Sequence, residues 1–185
     1  MKIKEFLTAS AGLSIASTLV RLNEWLASIQ AGTLEEPSAR RFANGDPTER
    51  ISESLIANAS GTERKLLSKS LQEALCYAVR YDADIAEAQL ITRLSQYLRR
   101  WGAPAFIRQF LSLSFFNFVQ FETGKSFRGL ARSSQAFEKH IEDLDRVCHQ
   151  TVASIWKSFE ETKRPLDLTA ATELVQQIEQ RLGGN

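Results

Sequence analysis

Histidine and cysteine each occur only twice in this chain, as His140, His149, Cys76 and Cys148, and that scarcity removes several chemistries together. Two distant cysteines make neither a disulfide framework nor a zinc site, both of which need clustered ligands. A reducing, cytoplasmic setting is therefore the expectation. The two histidines lie nine residues apart on what reads as one helix, and nine steps of 100° turn them to opposite sides. Glu142, Asp143 and Asp145 stand between them, and Asp145 shares a face with His149, but two ligands do not enclose an ion. The Glu-x-x-His pairs of di-iron helices are absent. Neither a metal nor another cofactor is expected. Cys148 falls in an apolar stripe and reads as a buried structural thiol, while Cys76, beside Glu73 and Tyr77, has no basic activator near it in sequence. No residue set with acid, base or nucleophile geometry can be named, so the expectation is a protein that is not an enzyme.

Glycine and proline are also sparse, nine and four residues in 185, which argues against long disordered or fibrous regions. No stretch has the ~20 continuous apolar residues that spanning a membrane requires. The N-terminus mimics a signal peptide poorly: Glu5 stands where positive charge is wanted, and Ser10, Gly12, Ser14, Ser17 and Thr18 interrupt the apolar run. Strand-like alternation and internal repeats are absent too. A length of 185 residues suits a single domain, 1–185, able to bury a real core.

What the sequence does contain is helical periodicity. Ile15, Leu19, Leu22, Leu26 and Ile29 recur at steps of three and four, predicting a first helix from about Ile3 to Ile29. A connection follows from Thr33 to Gly45. Asp46-Pro47-Thr48-Glu49 is a helix start, with Asp46 as cap, proline at the first position and Glu49 placed to complete a capping box. The short helix carrying Ile51, Leu55 and Ile56 is expected to stop at Gly61, and Thr62 to cap the next, with Leu67, Leu71, Leu75 and Ala78 inward. Tyr81, Ile85, Ala88, Ile91, Leu94, Leu98 and Trp101 form a further stripe, broken by Gly102 and Pro104. The opposite side then holds Gln89, Arg93, Gln96 and Arg100 and should be wet and basic.

The segment 105–121 is apolar almost all round, with six phenylalanines and a narrow polar strip of Gln109, Ser112, Asn117 and Gln120. It is either a central helix or one that buries a face in a partner. Gly124 to Arg132 reads as a basic loop. Ser133 or Ser134 caps a long helix with the stripe Phe137, Ile141, Leu144, Cys148, Val152, Ile155 and Phe159, and a last helix starts near Thr169 and stops at Gly183-Gly184. The fold class is all-α, an antiparallel bundle of about six helices.

Charge is unevenly placed. From Leu90 to Arg132 there are seven basic residues (Arg93, Arg99, Arg100, Arg108, Lys125, Arg128 and Arg132) against Glu122 alone, with nine of the seventeen aromatic residues. That stretch carries +6 and the rest of the chain −5. Polarisation of this kind points to a polyanionic partner. Thr123-Gly124-Lys125-Ser126 ends like a phosphate-binding P-loop, but Val119 occupies the position of the required glycine and a helix precedes it where a strand is needed. Two readings of this loop stay open: basic side chains that approach a phosphate backbone, or a solvated surface with incidental charge. Arg93 and Arg100 would supply one helix face, Arg99 its flank, Arg108 the start of the next helix, and Lys125, Arg128 and Arg132 its far end. Trp25 and Trp156 are expected to pack the interior. Trp101, beside Arg99 and Arg100 at a helix end, is placed to stack on an unpaired base.

In size, helicity and the basic stretch Arg93 to Arg132, the chain resembles the small helical subunits of multi-subunit CRISPR effector complexes. Those are compact bundles without active sites that line up along guide and displaced strands. The resemblance implies a role in antiviral defence, with other protein subunits and nucleic acid, RNA or DNA, as partners, no membrane, and an oligomeric state that leaves room for self-association. The expected function is a non-enzymatic subunit that binds nucleic-acid backbone with little regard for sequence. The alternative is an adaptor or assembly factor that docks a protein partner through its phenylalanine-rich helix.

Overall fold

The computed structural model of the chain describes residues 7–33, 46–80, 86–130 and 134–184, with side chains left aside over 124–130. Among the described residues it is all-helical, with seven helices rather than about six and no strand. They are α1 (Ala9–Ala31), α2 (Pro47–Leu55), α3 (Gly61–Val79), α4 (Glu87–Trp101), α5 (Ala103–Leu130), α6 (Ser134–Glu161) and α7 (Leu168–Gly183). The short Pro47–Leu55 helix, expected from its start signal, is among the seven. No described helix is long and apolar enough to cross a membrane. Ile3, the connection 34–45, Tyr81, Ile85, Arg132 and Ser133 lie outside the described residues.

Side-chain capping closes the starts of α1, α2 and α7. Thr8 Oγ1 accepts from the Ala11 amide at 3.0 Å, Asp46 Oδ1 from Thr48 at 2.7 Å and Asp167 Oδ1 from Ala170 at 2.8 Å, each satisfying a donor that the first helical turn leaves without a partner. The expected cap at Thr62 gives way to a start at Gly61, where Ser60 makes no side-chain capping bond. Glu63, in the first turn of α3, instead accepts from the hydroxyls of Thr8 and Ser10, both at 3.1 Å, which ties the start of α3 to the start of α1.

Helix α5 is the centre of the arrangement and touches α1, α3, α4 and α6. Phe106, Ile107, Phe110, Leu111, Phe115, Phe118 and Val119 are buried along it. Its polar strip is not a solvent face: Ser112, Ser114 and Asn117 are buried too. Asn117 lies against α3, where its Nδ2 donates to Ser70 Oγ at 3.0 Å and Glu73 Oε2 at 3.1 Å. Phe110 and Phe115 are fully enclosed, Phe116 is half-buried, and Phe121 is 47% exposed. The helix also continues through Gly124 and Gly129 to Leu130, so the expected basic loop at Gly124–Arg132 is helical for most of its length. Two separated glycines cost a long helix about 1 kcal/mol each, too little to end one already packed on several neighbours.

The serine- and threonine-rich start of α1 has a packing role. Ser14 Oγ donates to the Asn58 carbonyl at 2.8 Å, Asn58 Nδ2 donates to Ser17 Oγ at 3.1 Å, and the Ala57 amide donates to Thr18 Oγ1 at 3.2 Å. These three buried hydroxyls hold the link between α2 and α3, in which Asn58 is left-handed at φ 54°. On α6 the buried residues are Cys148, Thr151, Val152 and Trp156. Ile155 and Phe159, expected in the stripe, are half-buried beside Trp156, whose ring centroid is 5.6 Å from that of Phe159.

Candidate nucleic-acid interface

The basic residues of α4 and early α5 divide into two kinds. Arg93 turns inward. Its Nη1 donates to the carbonyls of Arg80 at 3.2 Å and Val79 at 3.4 Å, and these are the last carbonyls of α3, which the helix itself cannot satisfy. Arg80 closes that helix in the left-handed region at φ 50°, a conformation that costs a non-glycine residue roughly 1–2 kcal/mol. The wet basic face expected to start at Arg93 therefore starts further along, and Arg93 is a clamp between α4 and α3. A guanidinium reaches across because its long stem lies along the helix surface while the head finds acceptors.

Arg99, Arg100 and Arg108 are the second kind. Arg99 and Arg100 are exposed, Arg108 is half-buried, and none of the three has a carboxylate partner among the described residues. Residues 88–121 contain four arginines and no acid. Four other arginines are paired with carboxylates: Arg50 with Glu87, Arg64 with Glu53, Arg146 with Asp143 and Arg164 with Glu173.

Trp101 belongs with the free arginines. Apolar spacing places it in line with the buried Leu90, Leu94 and Leu98, yet it is 59% exposed. It is the last residue of α4, and Gly102, at φ 78°, turns the chain directly into α5, so the core ends before the ring reaches it. The Arg100 guanidinium carbon stands 5.0 Å from the ring centroid, a cation–π contact on one face of the indole.

Two aromatic residues join this surface that sequence reasoning left out. Tyr97 packs edge-on against Phe106 of α5, with centroids 6.4 Å apart and planes at 81°. Burial, followed by Tyr77, raises its phenol above the ordinary range, and Arg108 opposes the shift. Tyr77, near the end of α3, is 65% exposed. The available signal was positional: Tyr97 stands four residues after Arg93 and four before Trp101, on the same side of the helix as both.

Lys125 and Arg128 fall on the last turns of α5, and Arg132 lies beyond it; their side chains are outside the described residues. Cys148 is fully buried, and burial, aided by Asp145, pushes its thiol up to about 12. Cys76 is half-buried and also raised, by burial first and then by Asp46 and Glu73. Both shifts oppose formation of the reactive thiolate. His149 Nε2 is 3.6 Å from Asp145 Oδ1, and among the described residues no three His, Cys, Asp or Glu side chains group to hold a metal ion. Comparison with models of known protein families, with curated proteins and with solved structures finds no match to this chain.

Proposed function

We propose that this protein is a non-enzymatic helical subunit of a larger assembly that binds nucleic acid through its sugar–phosphate backbone, largely without regard to sequence. The carrying observation is the trio Arg99, Arg100 and Arg108: guanidinium groups without carboxylate partners among the described residues, in an acid-free run, with Arg100 against an exposed tryptophan. Unpaired arginines keep donor forks for phosphate oxygens. Residues 88–121 hold no carboxylate, and the reading gives phosphate contact the larger share. Lys125 and Arg128 stand 17 and 20 residues after Arg108 on the same helix, about 26 to 30 Å along its axis. In this proposal they and Arg132 supply the far end of the backbone contact; their side chains lie outside the described residues.

The reading takes the helices as one antiparallel bundle in the cytoplasm, with other protein subunits beside it, as in the CRISPR effector subunits that the chain resembles. Docking through the phenylalanine-rich helix has less support, because Phe106, Phe110, Phe115 and Phe118 already fill the interior. The test is isolation of the tagged full chain from its native source, with and without nuclease. Recovery of nucleic acid together with protein partners is expected, and salt should remove the nucleic acid progressively. Protein partners without nucleic acid, under conditions that preserve the assembly, would overturn the proposal in favour of the adaptor reading.

A further inference from the structure

Exposed or half-exposed rings stand on α3 (Tyr77) and on α4 (Tyr97 and Trp101), helices that pack on each other and on α5. Trp101 has one face covered by Arg100 and the rest of its surface open. Tyr97 is braced edge-on against Phe106 of α5. Arg93 fixes the end of α3, whose last turn bears Tyr77, against α4 through the Val79 and Arg80 carbonyls. Along α4, Arg93, Tyr97, Arg100 and Trp101 fall within a sector of roughly 100°, and one helical turn, about 6 Å of rise, separates Tyr97 from Trp101. Glu73, one turn before Tyr77 on α3, is engaged by Asn117 and Lys69.

An indole and two phenols serve no purpose for a ligand bound by charge alone. Leaving Tyr77 and Trp101 in water forgoes the apolar burial they would gain in the interior. The flat faces of unpaired bases complement such rings, and the phosphates that join those bases complement Arg100 and Arg108. Bases in a duplex are stacked on one another and present only their edges. We infer that Tyr77, Tyr97 and Trp101, with Arg100 and Arg108, form a stacking platform that selects single-stranded over double-stranded nucleic acid. This deepens the backbone-binding reading and rests on it.

The test uses the full chain with a homopolymeric single strand, as RNA and as DNA, and a duplex of equal length. Tyr77→Ala with Trp101→Ala should weaken single-strand binding roughly ten-fold for each ring removed and leave duplex binding unchanged. Tyr77→Phe with Trp101→Phe should restore most of the loss. Both rings are exposed, so folding is retained, and Trp25 and Trp156 are buried, so quenching of tryptophan fluorescence by the strand should vanish in Trp101→Phe. Preference for the RNA or the DNA strand identifies the natural ligand. Equal binding of strand and duplex, both untouched by removal of the two rings but reduced by Arg99→Ala, Arg100→Ala and Arg108→Ala together, would overturn the platform and leave the backbone reading standing. Absence of binding to any of the three probes would overturn the platform as well as direct backbone binding by this chain.

Discussion

The Arg93 guanidinium, within hydrogen-bond distance of the two last carbonyls of α3, shows how little a residue's charge reveals without its acceptors. Arg93→Ala should destabilise the protein by about 1–3 kcal/mol, since charged hydrogen bonds to otherwise unmet carbonyls are lost, and leave the salt dependence of nucleic-acid binding unchanged. Chemical denaturation and binding isotherms of the one variant check both halves. Cys148 makes a second prediction. Its thiol is held at about 12 against an ordinary value of about 9, so the folded state binds the proton more tightly than the unfolded chain does. The corresponding stability is complete below pH 9 and is lost as pH rises toward 12, by up to about 1.4 kcal/mol per unit. Urea unfolding between pH 8 and pH 10.5 should show a steeper loss in the parent than in Cys148→Ala. Equal slopes would mean that the thiol titrates normally.

Among the helices, α5 decides how the others are placed, and its phenylalanines are the measure of that. Phe110 is fully buried, and Phe110→Ala should cost about 3–5 kcal/mol through lost packing and a residual cavity, as read by thermal or chemical unfolding. A near-neutral substitution would indicate that this helix face is free for a partner. The apolar periodicities of α1, α3 and α4 were legible in sequence because each has one buried side, and steps of three and four report that side directly. Helix α5 was harder to read. Being covered by four neighbours, it has no consistent outside, and its polar residues mark contacts such as Asn117 with Ser70 and Glu73 instead of solvent. Its continuation past Gly124 was hidden because glycine is a local signal, whereas the length of a buried helix is set by its packing. Ser14, Ser17 and Thr18 were visible only as interruptions; their partners at Ala57 and Asn58 are about forty residues away, beyond any local pattern.

Over the whole molecule the dominant feature is polarity of charge, +6 on Leu90–Arg132 against −5 on the remainder. The position of that charge was plain in the sequence. Its division into a structural arginine, Arg93, and available ones, Arg99, Arg100 and Arg108, depends on tertiary contacts and was not. Nor was the assembly of Tyr77, Tyr97 and Trp101 from separate helices. The proposed backbone contact through Arg99, Arg100 and Arg108 makes a quantitative demand, since each phosphate contact releases counterions and steepens the fall of affinity with salt. The most direct measurement is the slope of log affinity against log salt for a single strand of uniform sequence, comparing the parent with Arg99→Ala, Arg100→Ala and Arg108→Ala combined. Alanine at the exposed Lys157, Lys163 and Arg181 is the control of equal charge. The arginine variant should bind more weakly with a slope shallower by about 2, three contacts at roughly 0.7 each, while the control keeps the parent's slope. Parallel lines for all three proteins, or the same loss in the control as in the arginine variant, would contradict the account.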